Sequence, residues 1–167
     1  NPAVSGNTLY HLPHPVQRLK DIVRRGGRVV FVNPRRIESA QAGEHLFIRP
    51  DTDVFLLAAW CNELIRTGGV ARERVERYTK GFAELQQTVA DWTVERQAAV
   101  TGVSAEALRD LVASHRKAGG AGLYMATGVN QGRSGTLCFW LLECINAISG
   151  NLDRAGGVLP NDPVLPV

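Results

Sequence analysis

The sequence predicts an α/β domain in which helices cover both faces of a mostly parallel, Rossmann-like sheet. Three short apolar runs, at residues 28–33, 45–48 and 122–127, have the length and composition of strands. Segments with apolar residues at helical spacing precede the first run, separate the second from the third, and follow the last. Strands that alternate with helices form parallel sheets covered on both sides, and this order indicates the fold class.

The first helix is predicted over residues 13–25, where apolar residues recur at helical spacing until Gly26-Gly27. The first strand follows directly and breaks at Asn33-Pro34, because proline supplies no backbone donor and restricts the residue before it. We expect the amide groups of this turn to face outward.

The second strand ends before Pro50, and the next helix begins with Asp51 or Thr52 as its N-cap and continues to Gly68. Residues 71–118 change to short helices without strands, and we interpret them as a helical insertion. The N-caps expected inside this insertion are Thr93 and Ser104.

The last predicted strand, at residues 122–127, leads through a glycine-rich loop into a strongly apolar helix at 136–148. A chain of 167 residues fits one domain, and we assign residues 1–167 to it. The abrupt start at Asn1-Pro2 leads us to expect a piece of a larger protein.

Composition argues against several classes of function. The net charge is +3 and Arg alternates with Glu along the predicted helices, so we expect no nucleic-acid partner. No run approaches about 18 apolar residues, so we expect no membrane span in this chain. The three cysteines form no CxxC pair, and no further donor accompanies His11 and His14. We therefore expect neither an iron–sulfur cluster nor a metal site within this chain.

Polar residues follow the predicted strand ends, at the edge where open α/β sheets bind ligands. Asp53 begins a helix, where a carboxylate favours the helix dipole, but a carboxylate also accepts two parallel hydrogen bonds from guanine. Arg35 and Arg36 are either surface charges or ligands of a pyrophosphate. The glycine-rich loop is either an ordinary tight turn or a close approach to a polar ring system, with Asn130 and Gln131 as its donors and acceptors.

Six segments carry short patterns in a fixed order. They are Asn1-Pro2, VNPRRIESAQAGEHLFIRPDTDVFLLA at 32–58, VERYTKGFAEL at 75–85, AAVTGVSAEALRDLV at 98–112, GVNQGRSG at 128–135 and AISGNLDRAGG at 147–157. Together they resemble the molybdopterin oxidoreductase family, which contains formate dehydrogenases, nitrate reductases and dimethyl sulfoxide reductase. The family's fold is a set of α/β domains around a molybdenum or tungsten ion held by molybdopterin guanine dinucleotide. This chain resembles one of its dinucleotide-binding domains.

The resemblance implies which residues hold that cofactor. The guanine pairs with Asp53, beside Asp51 and Thr52. The ribose and phosphates lie among Asn33, Pro34, Arg35 and Arg36. The residues near the pyrophosphate are Asn1, Pro2 and Ser5. Those on the pterin side are Thr127, Gly128, Asn130 and Gln131.

Two positions depart from the family's pattern. Asn33 stands where the family has Asp before Pro-Arg, which removes a charged acceptor for a ribose hydroxyl. Asp51 stands where the family has Gly before Thr-Asp, which adds negative charge near the base.

The resemblance also implies what this chain lacks. The metal-ligating Cys, selenocysteine or Ser and any iron–sulfur cysteines lie upstream of the matched part, and the rest of the cofactor's binding site lies downstream. We therefore expect no catalytic residue here, and a parent that transfers two electrons or an oxygen atom, of formate dehydrogenase or nitrate reductase type. Its partners are the remaining domains of that parent, in the cytoplasm or, alternatively, the periplasm.

Two alternatives stay open. Some relatives in respiratory complexes resemble this fold without holding a metal cofactor, so the chain is alternatively a scaffold. The central domain of thiamine diphosphate enzymes shares a related α/β architecture, and such a domain prefers an adenine nucleotide.

Overall fold

The computed structural model of the chain describes residues 1–4 and 13–160. Its strands are β1 (Val30–Val32) and β2 (Glu44–Leu46), joined through a 3-10 helix at Glu38–Ala42. Its α-helices are α1 (Pro15–Arg24), α2 (Asp53–Arg66), α3 (Arg72–Tyr78), α4 (Phe82–Val89), α5 (Val94–Thr101), α6 (Ala105–Lys117), α7 (Thr127–Asn130) and α8 (Gly135–Ile148). No helix among these residues is long and apolar enough to cross a membrane.

The first two predicted strands form a parallel pair. Val30 lies opposite Glu44 and Val32 opposite Leu46, so both strands run toward the same edge. The Asn33 backbone N–H donates to the Leu46 carbonyl at 3.0 Å and continues this ladder past the end of β1. The parallel arrangement is confirmed, and in the described part of the chain the sheet has these two strands.

The third predicted strand, at 122–127, is not a strand in the structure. Asparagine side chains, rather than a neighbouring strand, satisfy its backbone: the Ala121 N–H donates to Asn151 Oδ1 at 3.1 Å and the Leu123 N–H to Asn146 Oδ1 at 3.2 Å. The prediction was wrong because an apolar run becomes a strand only where another strand offers it a ladder of partners. The described residues therefore form a mainly helical body beside a small sheet.

The core lies around α2, which packs against α8 on one side and against α4, α5 and α6 on the other. Cys61, Leu64, Leu108 and Ile145 are fully buried in it. Burial of these side chains supplies the main stabilisation, about 1.5–3 kcal/mol for each large one. The segment predicted as an insertion thus supplies a large part of the core that surrounds α2.

Two predicted N-caps begin helices of this core. The Thr93 hydroxyl accepts from the Arg96 N–H at 3.1 Å, and the Ser104 hydroxyl accepts from the Ala107 N–H at 3.1 Å. Each side chain satisfies a backbone donor that the first helical turn leaves without a partner. Both predictions are confirmed.

A buried polar network joins α5 to the turn before α6. The Gln97 amide nitrogen donates to the carbonyls of Val94 and Val103, both at 3.0 Å. Its oxygen accepts from the Thr101 hydroxyl at 2.7 Å, and that hydroxyl accepts from the Val103 N–H at 3.0 Å. Every polar atom of the Gln97 side chain is therefore satisfied inside the core.

Arg28 connects the amino end of the sheet to the helices. Its guanidinium binds both oxygens of Glu44 at 2.7 Å, Asp110 at 2.7 Å and the Ser114 hydroxyl at 2.6 Å. One planar group, two residues before β1, thus connects the first residue of β2 with two successive turns of α6.

Candidate functional site

An open pocket of about 350 Å³ lies where the segments that enter α2 and α8 meet. The two helices pack side by side, so their first turns and the loops before them come together. The residues that line the pocket are Pro50, Asp51, Asp53, Val54, Gly128, Val129, Gln131, Gly132, Arg133, Ser134 and Cys138.

Asp53 is the first residue of α2, and its carboxyl group is half-buried in the pocket wall. Burial raises the pKa of this carboxyl, and the neighbouring charge of Asp51 raises it further, while a hydrogen bond from its own backbone N–H opposes both effects. The cation in the pocket lining, Arg133, pairs with Asp51 rather than with Asp53. Asp53 therefore lines the pocket beside the ion pair of Asp51 with Arg133.

Asp51 joins the two sides of the pocket. Its Oδ1 accepts from the Arg133 backbone N–H at 3.0 Å, and its Oδ2 lies 3.5 Å from Arg133 Nε. The Arg133 side chain is otherwise 94% exposed, so its charge stays at the mouth of the pocket. Two charged residues 82 positions apart thus close one side of the opening.

Apolar residues and a close-packed turn complete the pocket. Val54 is buried and Val129 half-buried, and with Pro50 they give apolar surfaces on which a flat ring can lie. A Cβ atom at Gly132 would lie 2.7 Å from Asp51 Oδ1, so only glycine allows this approach. Gln131 is exposed and offers an amide to the same opening.

A second polar cluster lies at Asn1. The Ser39 hydroxyl donates to Asn1 Oδ1 at 2.7 Å and accepts from the Ala3 N–H at 2.8 Å. The Asn1 amide nitrogen donates to a Glu38 carboxyl oxygen. Arg35 also lies 3.3 Å from that carboxylate. A hydrogen bond from its own backbone N–H, followed by the contacts with Asn1 and Arg35, lowers the pKa of Glu38. Ser39 and Glu38 thus bring the start of the chain to the turn that follows β1.

The turn after β1 is more closed than the sequence predicted. The Asn33 side chain accepts from the Arg35 N–H at 3.1 Å, so this amide does not face outward. An Asn side chain that bonds two residues ahead makes a local turn of its own, and this explains the difference. The Arg35 carbonyl lies 3.0 Å from His45 Nε2, which holds the turn against β2.

The predicted site residues therefore fall into two groups. Those that line the pocket are Asp51, Asp53, Gly128 and Gln131. Those in or beside the Asn1 cluster are Asn1, Pro2, Asn33, Pro34, Arg35 and Arg36, and none of them lines the pocket. Thr52, Thr127 and Asn130 flank the pocket in the chain without lining it, and Ser5 lies outside the described residues.

Thr52 differs from its prediction in one contact. It occupies the N-cap position of α2, but its hydroxyl donates to the Arg49 carbonyl at 2.7 Å instead of accepting from the helix. The hydroxyl thus stabilises the turn before the helix, where Asp51 has a positive φ of 62°.

Several residues of both groups were not predicted from the sequence. Arg133 follows Gln131 in the glycine-rich loop at 128–135, and its place in that loop is the sequence signal that points to it. Cys138 lies one turn into α8, and burial together with Asp53 and Asp51 raises the pKa of its thiol to about 11. This thiol is neutral at pH 7 and is therefore a poor nucleophile or metal ligand. Glu38 and Ser39 carry no sequence signal beyond their place after the arginines.

No protein-family model matches the chain. A formate dehydrogenase alpha subunit from Methanocaldococcus jannaschii is 26% identical over 159 residues, which cover 94% of this chain and 24% of that protein. The molybdopterin-containing subunit of a thiosulfate reductase from Salmonella typhimurium is 31% identical over 143 residues, which cover 80% of this chain and 18% of that protein. The chain is homologous to the molybdopterin oxidoreductases.

A solved structure supports the same fold. Acetylene hydratase from Pelobacter acetylenicus matches with a TM-score of 0.83 at 22% identity, over 95% of this chain and 22% of that one. The chain thus spans about a quarter or less of the molybdopterin oxidoreductases that it matches. Both sides of the pocket, at residues 50–54 and 128–138, lie within the described part of this fold.

Proposed function

We propose that this chain is a cofactor-binding domain of a molybdopterin-dependent oxidoreductase, and that its pocket receives the guanine of molybdopterin guanine dinucleotide. The observation that carries the proposal is the half-buried Asp53, which lines one pocket together with Gln131 and the apolar side chains of Pro50, Val54 and Val129. Two relatives bear names that fit it, one a formate dehydrogenase and the other a molybdopterin-containing subunit.

Guanine fits this pocket by its pattern of donors. Its N1–H and 2-amino group are parallel donors, and an ionised carboxylate accepts both, whereas adenine has no such pair. Pro50, Val54 and Val129 offer apolar contact to the faces of the base. The neutral thiol of Cys138 adds no competing charge at the pocket floor.

The Asn1 cluster is proposed to hold the ribose and phosphates. Asn33, Pro34, Arg35 and Arg36 follow the end of β1, with Asn1, Pro2 and Ser5 toward the pyrophosphate. Arg35 is paired with Glu38 in the free chain, so a phosphate would have to take its place as the partner of that guanidinium. Thr127, Gly128, Asn130 and Gln131 lead from the pocket toward the pterin.

The parent protein is part of the proposal. When bound, the cofactor supplies the metal at which two electrons or an oxygen atom are exchanged, and this chain supplies its position. We propose that the metal, molybdenum or tungsten, is ligated by another part of the parent, which also carries any iron–sulfur cluster. The isolated chain is then inactive, in a parent of formate dehydrogenase or nitrate reductase type in the cytoplasm.

The full sheet also belongs to the parent in this proposal. β1 and β2 would be strands of a larger Rossmann-like sheet with helices on both faces. The parallel pairing of β1 with β2 supports this assignment.

Calorimetric titration of the 167-residue chain with GDP, IDP and ADP tests the guanine site. We expect binding in the order GDP, IDP, ADP, with a loss of about tenfold from GDP to IDP because IDP lacks the 2-amino donor. Asp53→Ala should abolish the difference between GDP and IDP, and the exposed Asp91→Asn variant should preserve it. Absence of heat with every nucleotide would favour the scaffold, and a preference for ADP would favour the thiamine diphosphate class.

A further inference from the structure

Asp51 occupies a backbone conformation that favours glycine. Its φ of 62° is in the left-handed region, where a Cβ atom meets its own backbone. Among the described residues His14 and Asp153 are the other non-glycine residues with positive φ. A side chain retained at such a position in a pocket suggests a function that offsets the strain.

The contacts of Asp51 show what its side chain does. Both carboxylate oxygens reach Arg133, one at the backbone N–H and one at the guanidinium. Gly132 leaves room for that approach, because its Cβ would lie 2.7 Å from Asp51 Oδ1. Gly132 therefore leaves space for the Asp51 carboxylate, and Arg133 supplies the opposite charge.

We propose that Asp51 is a positioning residue that locks the turn at 131–134 to the turn that enters α2, and thereby sets the width of the pocket beside Asp53. The ligand in this inference, a guanine nucleotide, rests on the proposed function. The lock itself is a property of the chain without ligand.

Amide hydrogen exchange at Arg133 tests the lock directly. In Asp51→Gly the Arg133 N–H loses its acceptor, and we expect its exchange to accelerate by about tenfold or more. Asp51→Asn keeps an oxygen acceptor and should restore most of the protection. Glycine adopts a φ of 62° without strain, so the Asp51→Gly variant should fold. Equal exchange in the wild type and in Asp51→Gly would overturn the proposal.

Asp153→Gly is the matched control. Asp153 is an exposed aspartate with a φ of 55°, so its replacement relieves the same kind of strain outside the pocket. Exchange at Arg133 should not change in this variant. If it changed as much as in Asp51→Gly, the effect would come from general backbone freedom and the lock would be refuted.

Nucleotide affinity tests the consequence for binding. Asp51→Gly should weaken GDP binding by about fivefold to tenfold, with Asp51→Asn intermediate and Asp153→Gly unchanged. Unchanged GDP affinity in Asp51→Gly would overturn the positioning role. If the wild type bound no guanine nucleotide, the proposed function would fail, while the exchange experiment would still decide whether the lock exists.

Discussion

The pocket at the start of α2 and the Gln97 network of α5 differ in how fully their polar groups are hydrogen-bonded within the protein. In the network, the Gln97 amide is buried and each of its polar atoms has a partner at 2.7 to 3.0 Å. In the pocket, Asp53 is half-buried with a raised pKa, and Asp51 has a positive φ. The Gln97 network stabilises the fold. In the pocket, Asp53 keeps an acceptor available and Asp51 keeps a strained backbone. Such retention is typical of binding sites.

The largest effect is expected in the core. Leu108→Ala removes a fully buried side chain from α6, and we expect the free energy of unfolding to fall by about 3–4 kcal/mol. Chemical denaturation measures this loss, with Leu137→Ala, at an exposed position of α8, as the control near zero. GDP affinity below the unfolding transition should not change, and a large change in affinity would show that core and pocket are not separate.

The next effect is expected in the Gln97 network itself. Gln97→Ala leaves the Val94 and Val103 carbonyls and the Thr101 hydroxyl without their partner, and should cost about 2–3 kcal/mol. Gln86→Ala on the exposed face of α4 is the matched control. A loss below about 0.5 kcal/mol would mean that water replaces the amide, and the contrast with the pocket would disappear.

A smaller effect concerns His115, which is buried at the end of α6 against Asn151 at 2.9 Å. Burial lowers the pKa of this imidazole, so the folded chain binds its proton less readily than the unfolded chain. Stability should therefore be lost as the pH falls below the ordinary value of about 6.5. Melting temperatures at pH 7.5 and 5.5 should show this slope in the wild type and a weaker one in His115→Gln. The exposed His14→Asn variant should keep the full slope.

The smallest effect is expected at Asp53. Its pKa is raised, so as the pH falls this carboxyl takes up a proton earlier than an exposed aspartate and loses acceptor capacity for guanine. As the pH falls, GDP affinity should decline earlier than an ordinary aspartate would cause, while Asp53→Asn stays weak and flat. An affinity that rose on acidification would contradict the role of the ionised carboxylate.

Elements with their own internal pattern were predictable from the sequence. The helices α1, α2 and α8 have apolar faces and glycine ends, and the structure places each within about two residues of its prediction. The strand at 122–127 was not predictable, because pairing depends on a neighbour that lies elsewhere in the chain or in the parent. Local pattern specifies a helix, whereas a strand also requires its partner.

The same distinction applies to the site. Asp53 and Gln131 each follow the end of a predicted strand, and the structure brings both residues to one pocket. Arg133 was missed because an exposed arginine in a loop resembles any surface charge until Asp51 is seen beside it. The sequence likewise did not reveal that Glu38 pairs with Arg35 and accepts from Asn1.

Arg28 fixes the amino end of the two-stranded sheet, away from the pocket, through ion pairs. It binds Glu44, the first residue of β2, and Asp110 of α6, whereas Asn33 and Pro50 follow the carboxyl ends of β1 and β2. These charges are partly exposed and so are screened by salt, while the apolar packing of α2 against α8 is not. Raised ionic strength should therefore weaken the contacts of Arg28 while the packing of α2 against α8 persists, so that salt separates the electrostatic from the apolar support of the fold.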